Sequence, residues 1–495
     1  MQPWPVSVSL DDAIASLGLS LPLTRMTVTG ITYDNRLVQQ GFVFAALPGL
    51  KQHGITFAAA AVEAGAVAVL TDADGAHQAA GLSVPVVVSA DPRSDMALMA
   101  RFIYGDAQSH LISVGITGTN GKTTTSFLVE SAMNATVGPT MLMGTAGMRL
   151  GEWNKTSART TPESTDIHSL LNDARHSGAR GLVMEVSSHA LRLGRVDGIT
   201  YDVAVFTGLS PDHLDFHSDM EDYFQAKAEL FTASRARRAV ICIESEWGQR
   251  LARECDLPTL TVAMSAQADW SARDVVIEAD GHMNFTAVGP NSSFGVRLGI
   301  PGEFNVLNAL ATIAVADSLS LPLDTSIEGL ANVFVPGRLQ RIGAGQDFLV
   351  LVDYAHTPDA VARALAVARA CTSGKVTVVL GCGGDRDSSK RGPMGAAAAL
   401  GADAVVVTDD NPRSEDPAQI RAAVMAGVRA QDANREAIEI GSRAEAIRYA
   451  INAAQTGDCV IILGKGHETG QDIDGVITHF DDREEATTAI VERGV

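Results

Sequence analysis

Cysteine is scarce in this chain: Cys242, Cys255, Cys371, Cys382 and Cys459 are the only five among 495 residues. They are odd in number, widely spread and never paired as CxxC, which argues against a disulfide framework or a thiolate zinc site and points to a reducing, cytoplasmic setting. Basic residues are also in deficit, with 38 Lys and Arg against 58 Asp and Glu and a net charge of −20. A surface that neutralises a duplex backbone is therefore not expected, although a local basic pocket for one small anion is compatible with that balance. No apolar run approaches bilayer-spanning length, and Asp11 and Asp12 precede the first basic residue, Arg25. Neither membrane insertion nor the basic start of a secretory signal is expected.

What is present suits a folded α/β protein: 46% hydrophobic residues, 19% charged, with 46 Gly and 18 Pro. At roughly 100–200 residues per domain the length predicts about three domains. Residues 1–108 carry short apolar stretches (Val43–Leu47, Ala66–Leu70) around a helical pattern at Thr56–Ala64, a small α/β unit. Over 109–335, strand-like runs at Ile112–Ile116, Leu182–Val186, Val203–Phe206 and Ala239–Ile243 alternate with helical patterns, as in a parallel sheet covered on both faces. An insert at Trp270–Ile300 reads instead as short antiparallel strands. Over 336–495 the alternation restarts, with strands near Phe348–Val352, Val376–Leu380, Ala404–Val407 and Val460–Leu463. The polar loops Asp353–His356, Gly381–Asp387, Asp409–Asp416 and Gly464–Glu468 each follow one of these strands, and ligands bind beyond the carboxyl ends of parallel strands.

The strongest motif is Gly118-Thr119-Asn120-Gly121-Lys122-Thr123-Thr124, between an apolar strand and a helical stretch at Thr123–Met133. Its glycines let backbone N–H groups face an anion, Lys122 reaches terminal phosphates, and the Thr123 hydroxyl can ligate Mg²⁺. It is a shorter variant of the usual phosphate loop, since Gly118 lies three residues before Gly121. Glu185 and His213, each just past a strand of the same sheet, are candidate metal ligands. Taken alone, Glu185 reads equally well as a solvated strand end.

Lys227 shares a helical face with Phe224, Ala228 and Phe231. Either its stem packs while its head reaches water, or desolvation frees the amine to capture CO₂ and become an anionic carbamate near the metal. In Asp410-Asn411-Pro412-Arg413-Ser414-Glu415-Asp416-Pro417, Asp416 is expected to cap a helix, with Pro417 in its first turn and Gln419 closing a capping box. Arg413, on the loop so fixed, is suited to bidentate capture of a carboxylate. An ion pair with Glu415 or Asp416 is the alternative.

Taken with Glu185-Val186-Ser187-Ser188-His189-Ala190-Leu191, Asp212-His213-Leu214-Asp215, Asn305-Val306-Leu307-Asn308, Pro336-Gly337-Arg338 and Asp353-Tyr354-Ala355-His356-Thr357-Pro358, these motifs resemble the Mur ligase family, over essentially the whole chain. The resemblance implies three α/β domains: 1–108 for a uridine-nucleotide donor, 109–335 for ATP, and a Rossmann-like 336–495 for an amino acid. It implies that Asn305 and Asn308 contact adenine and that Arg338, Asp353 and His356 hold ribose and phosphates. Thr123, Glu185, His213 and a carbamylated Lys227 would surround magnesium. Tyr33, Asn35 and Leu50-Lys51-Gln52 would hold the uridine nucleotide, with Thr160, Thr161, Ser187 and Arg195 gripping the rest of the donor.

Two positions depart from the family pattern. Asn35 stands where serine is usual, and Leu193 replaces a frequent glutamine and is left out of the site. The Asp410–Arg413 loop resembles that of members adding meso-diaminopimelate, whose second amino-acid head Arg413 would bind with Arg386, Gly464 and Glu468. The implied reaction joins meso-diaminopimelate to the γ-carboxylate of UDP-N-acetylmuramoyl-L-alanyl-D-glutamate through an acyl phosphate, with ATP becoming ADP and phosphate. A lysine-adding ligase, a folylpolyglutamate synthetase-like ligase and an ATP-binding regulator without catalysis are the rival readings. A cytoplasmic monomer is expected.

Overall fold

A computed structural model of the chain describes residues 1–19, 25–49, 52–157, 159–264, 267–278, 282–431 and 436–494. Leu50 and Lys51 lie outside the described residues. Within that set, three sheets with a strongly parallel character follow one another along the chain.

The first is a four-stranded parallel sheet of Gly30–Thr32, Phe42–Ala45, Ala68–Thr71 and Val86–Val88. The predicted helix Thr56–Ala64 divides into a 3₁₀ turn, Gly54–Phe57, and a helix, Ala58–Glu63. The second sheet has eight strands, in the order Trp153–Lys155, Gly147–Leu150, Thr140–Gly144, Gly181–Glu185, Ile112–Thr117, Val203–Phe206, Ala239–Cys242, Thr259–Val262. The last six in that order are mutually parallel, and the first two form an antiparallel extension. Their runs are apolar on both faces because helices cover both, as the complete burial of Val114, Val183, Val203 and Val205 reflects. Later strands are added on either side of Ile112–Thr117, which places its carboxyl end, and so the loop Gly118–Thr124, at the sheet's switch point.

The insert forms three antiparallel strands, Ser271–Ile277, Met283–Val288 and Ser293–Leu298. In the third sheet the order is Gln340–Arg341, Leu349–Asp353, Cys459–Leu463, Val376–Leu380, Ala404–Val407, Glu436–Glu439, parallel except for the first strand. All four polar loops therefore emerge at one edge. No helix among the described residues is long and apolar enough to cross a membrane.

One expected detail differs. Asp416 does cap the helix Pro417–Gln431, accepting the Ala418 N–H at 2.9 Å, but the Gln419 amide donates to the Asp416 carboxylate at 3.3 Å rather than closing back on a backbone N–H. With Pro417 at the first helical position, fewer orphan donors need a partner there, and the carboxylate is the stronger acceptor.

Candidate active site

Strand Ile112–Thr117 ends in Gly118 (φ 150°), and Gly121 (φ 86°) starts the helix Lys122–Thr136. A Cβ on Gly118 would stand 2.0 Å from the Thr207 hydroxyl, so this turn closes only around glycine. Thr207 in turn donates to the Asn120 carbonyl at 2.6 Å, fixing the loop from the neighbouring strand. Lys122 Nζ donates to the carbonyls of Gly118 (2.9 Å) and Thr119 (3.0 Å).

Lys227 reaches the same place from the helix Met220–Ala228, donating to the Gly118 carbonyl at 2.9 Å beneath the Tyr223 ring. It is 1% exposed, so its head does not reach water. Burial, then the Lys122 charge, push its pKa well below the ordinary lysine value, with Asp212 opposing. Two ammonium groups on one carbonyl repel, and the deeper one is favoured as a free amine. Lys122 is also lowered, mainly by burial, while Glu185 and Asp212 support its charge.

Glu185 ends its strand fully buried. One carboxylate oxygen accepts the Thr145 N–H at 2.9 Å; the other accepts the hydroxyls of Thr145 (2.9 Å) and Thr123 (3.1 Å). A Cβ on Gly144 would lie 2.2 Å from this carboxylate, so glycine there makes room for it. Thr123 and Glu185 are hard oxygen donors at the foot of a phosphate loop, the donor type magnesium takes. Among the described residues no group of three or more His, Cys, Asp and Glu is placed to hold a metal ion by itself. The residues therefore fit an ion shared with phosphates rather than one caged by protein alone.

His213, in the left-handed region at φ 55°, lies at the cleft mouth with its ring edge-on to His189. Desolvation by the cleft walls pushes its pKa down to about 4 against the pull of Asp212, with Lys122 and His189 adding to the depression. It is neutral at neutral pH.

One cleft of about 300 Å³ gathers Thr119–Thr124, Thr160, Glu185, His213, Asn305, Asn308, Arg338, Asp353 and His356. Its far wall comes from the third sheet. Arg338 donates to Thr123 Oγ at 3.2 Å and stacks over Tyr354 at 4.6 Å. Asp353 accepts the backbone N–H groups of Leu339 (2.7 Å) and Ala355 (2.8 Å), while burial raises its pKa. His356 Nδ1 donates to the Tyr354 carbonyl at 2.8 Å, and burial pushes the ring's pKa down. Asn308 donates to Asn305 Oδ1 at 2.9 Å and accepts from Thr125, so the two asparagines brace each other at the cleft wall.

The acceptor candidates form a second cluster. Arg413, at φ 51°, is held in that conformation by backbone bonds to Asp472 and Asp474 of the hairpin Gly470–His479. Its guanidinium donates to the Gly384 carbonyl at 2.6 Å. Glu415 pairs with Arg391 instead, and the sequence alternative of an Arg413 ion pair with Glu415 is not what the loop adopts. Pro412 O would be 1.9 Å from a Cβ on Gly384, so the two loops interlock at glycine. Asn411 is fixed at both ends: Oδ1 accepts from Lys465 at 2.9 Å, and Nδ2 donates to Glu468 at 3.0 Å. Lys465, fully buried, also lies 3.3 Å from Asp410 and donates to the Gly470 carbonyl at 2.7 Å. Gly464 (φ 117°) sits against Asp410, and Arg386 is exposed on the facing loop. Beneath them Arg443 forms a fully buried fork with Asp482, both bonds 2.7 Å, and donates to the Leu463 carbonyl at 2.9 Å.

Among the residues expected to hold the donor, Thr161 Oγ donates to the Glu185 carbonyl at 2.9 Å and accepts the Ser187 N–H at 3.1 Å. Ser187 caps the helix Ser188–Arg192. Arg195 lies 2.8 Å from Glu163, which also faces Arg159 (2.8 Å) and Arg93 (3.3 Å). Arg159 in turn reaches the Tyr33 hydroxyl at 3.3 Å. Asn35 begins the 3₁₀ turn Asn35–Leu37, and Gln52 is exposed beside the first sheet.

Sequence reasoning passed over Thr145, Glu163 and Lys465. A turn threonine and a glutamate just before a helix carry no local signature. Lys465 had one, a lysine immediately after the apolar strand Cys459–Leu463 and its glycine.

Three family models match in chain order: "Mur ligase family, catalytic domain" over residues 27–103, "Mur ligase middle domain" over 116–316, and "Mur ligase, glutamate ligase domain" over 337–466. A Streptomyces avermitilis protein named UDP-N-acetylmuramoyl-L-alanyl-D-glutamate–2,6-diaminopimelate ligase is 48% identical over 493 residues, covering 97% of this chain and 96% of its own. A Corynebacterium glutamicum protein of the same name is 45% identical, with 99% and 95% covered. A solved structure of a ligase so named is 33% identical, with TM-score 0.70 over 98% of this chain and 99% of that one. On this full-length similarity, the chain belongs to the Mur ligase family.

Proposed function

We propose that this chain is an ATP-dependent ligase that adds meso-diaminopimelate to UDP-N-acetylmuramoyl-L-alanyl-D-glutamate in the cytoplasm, as a step of peptidoglycan precursor synthesis. The observation that carries the reading is the near-full-length similarity, at 45–48% identity, to proteins named for that reaction. The geometry supports it with a phosphate loop, an oxygen-donor pair and a rigid amino-acid pocket in one chain.

A carboxylate is inert to amines, so the donor's γ-carboxylate first attacks the γ-phosphorus of ATP to give an acyl phosphate. Lys122, whose loop-carbonyl partners are only neutral, supplies positive charge to the phosphates. Thr123, Glu185, His213 and Lys227 as its carbamate would hold Mg²⁺, which when bound offsets phosphate charge. The buried free amine of Lys227 is the form that captures CO₂. Asn305 and Asn308 bind adenine, and Arg338, Asp353 and His356 bring the third domain onto ribose and phosphates. Gly118 to Thr124 wrap the phosphates themselves.

Tyr33, Asn35, Leu50, Lys51 and Gln52 hold the uridine nucleotide, while Thr160, Thr161, Ser187 and Arg195 orient the peptide end. Asp410, Asn411, Pro412, Arg413, Arg386, Gly464 and Glu468 bind the distal head of diaminopimelate. The near amine is then left to displace phosphate. A side chain without that head leaves the Arg413 site unpaired, which disfavours lysine.

The test is ADP release with a panel of amino acids and an ¹⁸O-labelled donor carboxylate. Release dependent on both donor and meso-diaminopimelate, with ¹⁸O in the phosphate, is expected. Lysine serving equally well, or unlabelled phosphate, overturns the assignment or the acyl-phosphate route respectively.

A further inference from the structure

The acceptor loop directly touches the turn that holds Glu185. His467, between Gly466 and Glu468, places Nε2 3.0 Å from the carbonyl oxygen of Thr145, 322 residues away. A carbonyl only accepts, so Nε2 carries the proton, and Nδ1 is left buried with no partner among the described protein groups. Thr145 is the residue whose N–H and hydroxyl hold both oxygens of Glu185. Glu185 in turn accepts from Thr123.

A second route runs from the same histidine. A Cβ on Gly337 would meet His467 N at 2.1 Å and Gly466 C at 2.2 Å, so the loop lies backbone to backbone on the segment joining the second and third sheets. The Tyr354 ring is 5.1 Å from the His467 ring, and over Tyr354 sits Arg338, which reaches Thr123. Both routes end on the Thr123 hydroxyl, and both begin one residue from Glu468.

We propose that His467 is a positioning residue that couples acceptor binding to nucleotide binding: an amino acid held by Glu468 and its neighbours fixes the loop, and the His467–Thr145 hydrogen bond then fixes Glu185 and Thr123. This rests on the acceptor assignment above. Such coupling is a free energy shared by two sites and acts equally in both directions. Only a measured change in that free energy establishes it.

The experiment is calorimetric titration of the full chain, saturated with the uridine-nucleotide donor, with a non-hydrolysable ATP analogue and Mg²⁺, with and without meso-diaminopimelate. In the wild type, saturating diaminopimelate is expected to tighten analogue binding about fivefold or more, within the usual range of such couplings. His467→Phe keeps a ring against Tyr354 and loses the donor. It should bring the factor to within about twofold of unity, while affinity for the analogue without diaminopimelate stays within about threefold of wild type. His467→Gln, which can still donate, should recover part of the factor. A wild type with no coupling, or a His467→Phe variant with all of it, overturns the inference, as does a loss that His467→Gln does not relieve. Diaminopimelate-dependent ADP release by the wild type is measured alongside. Its absence would sink the assigned reaction, whereas its presence with coupling unchanged in His467→Phe sinks only the role of His467.

Discussion

The floor of the phosphate loop and the acceptor pocket each hold a fully buried lysine, and they are built in opposite ways. Lys465 lies 3.3 Å from Asp410 and 3.8 Å from Glu468, and donates to Asn411 Oδ1 and the Gly470 carbonyl. Lys227 has one carbonyl, one ring face and another lysine for company. A buried ammonium with carboxylates is a structural charge. One without them is destabilised as a cation, and a chain keeps it at that cost when the free amine has work to do.

The largest expected effect tests that difference in function. Lys227→Ala should lower kcat by about 10²–10³-fold, the usual cost of removing one stabiliser of developing charge. Short carboxylates such as formate should restore part of the rate by occupying the vacated place. Full activity of the alanine variant without additives would put Lys227 on the same footing as any packed lysine and remove the carbamate.

In stability the order should reverse. Lys465→Met strands Asp410 in a buried site and should cost about 3 kcal/mol, the lower end for breaking a buried pair. Lys227→Met replaces a buried amine that no carboxylate bonds with an apolar chain of similar length, and should be neutral or stabilising. Urea unfolding of both variants decides it. Equal losses would show that burial alone, not partnership, governs these positions.

The two regions were also unequally legible in the sequence. The phosphate loop announced itself because its glycines, lysine and threonine are contiguous, and the strand before it is apolar on both faces. The parallel strands near 112, 182, 203 and 239, and the four central strands of the third sheet, were readable for the same reason, whereas the mostly exposed edge strand Glu436–Glu439 was not. The antiparallel extension Gly147–Lys155 was not read, because its strands are short and include exposed Asn154 and Lys155. Thr145 sits in the turn that leads into that extension, so the residue that holds Glu185 was hidden with it. Lys465 was visible only as a lysine between Gly464 and Gly466, since its nearer carboxylate partner, Asp410, lies on a loop more than fifty residues earlier. Side chains whose role depends on two distant loops meeting leave little local pattern.

Arg413 offers a smaller effect that sharpens the picture of the acceptor pocket. Its guanidinium is anchored on a backbone carbonyl and free of any described carboxylate, so it is available to a ligand. Arg413→Ala should reduce the preference for meso-diaminopimelate over lysine, as the ratio of kcat/KM values, by about 10–100-fold, equivalent to one lost charged hydrogen bond. An unchanged ratio would move selectivity elsewhere in the pocket. Thermal unfolding of this variant should match the wild type, in contrast to Lys465→Met.

The last effect is a pH dependence belonging to Lys227 alone. Below its ordinary value of 10.5 an unfolded lysine is protonated, whereas the folded amine stays neutral down to its lowered pKa. Between those limits the unfolded chain binds more protons, so this residue's contribution to stability improves as pH rises. In CO₂-free buffer the unfolding free energy of the wild type should therefore gain on that of Lys227→Met between pH 7 and 10, because all other titrating groups are common to both. A difference that stays flat across that range would mean that the buried head keeps its proton. It would then resemble Lys465 in charge as well as in burial, and the case for a free amine beside the phosphate loop would fall.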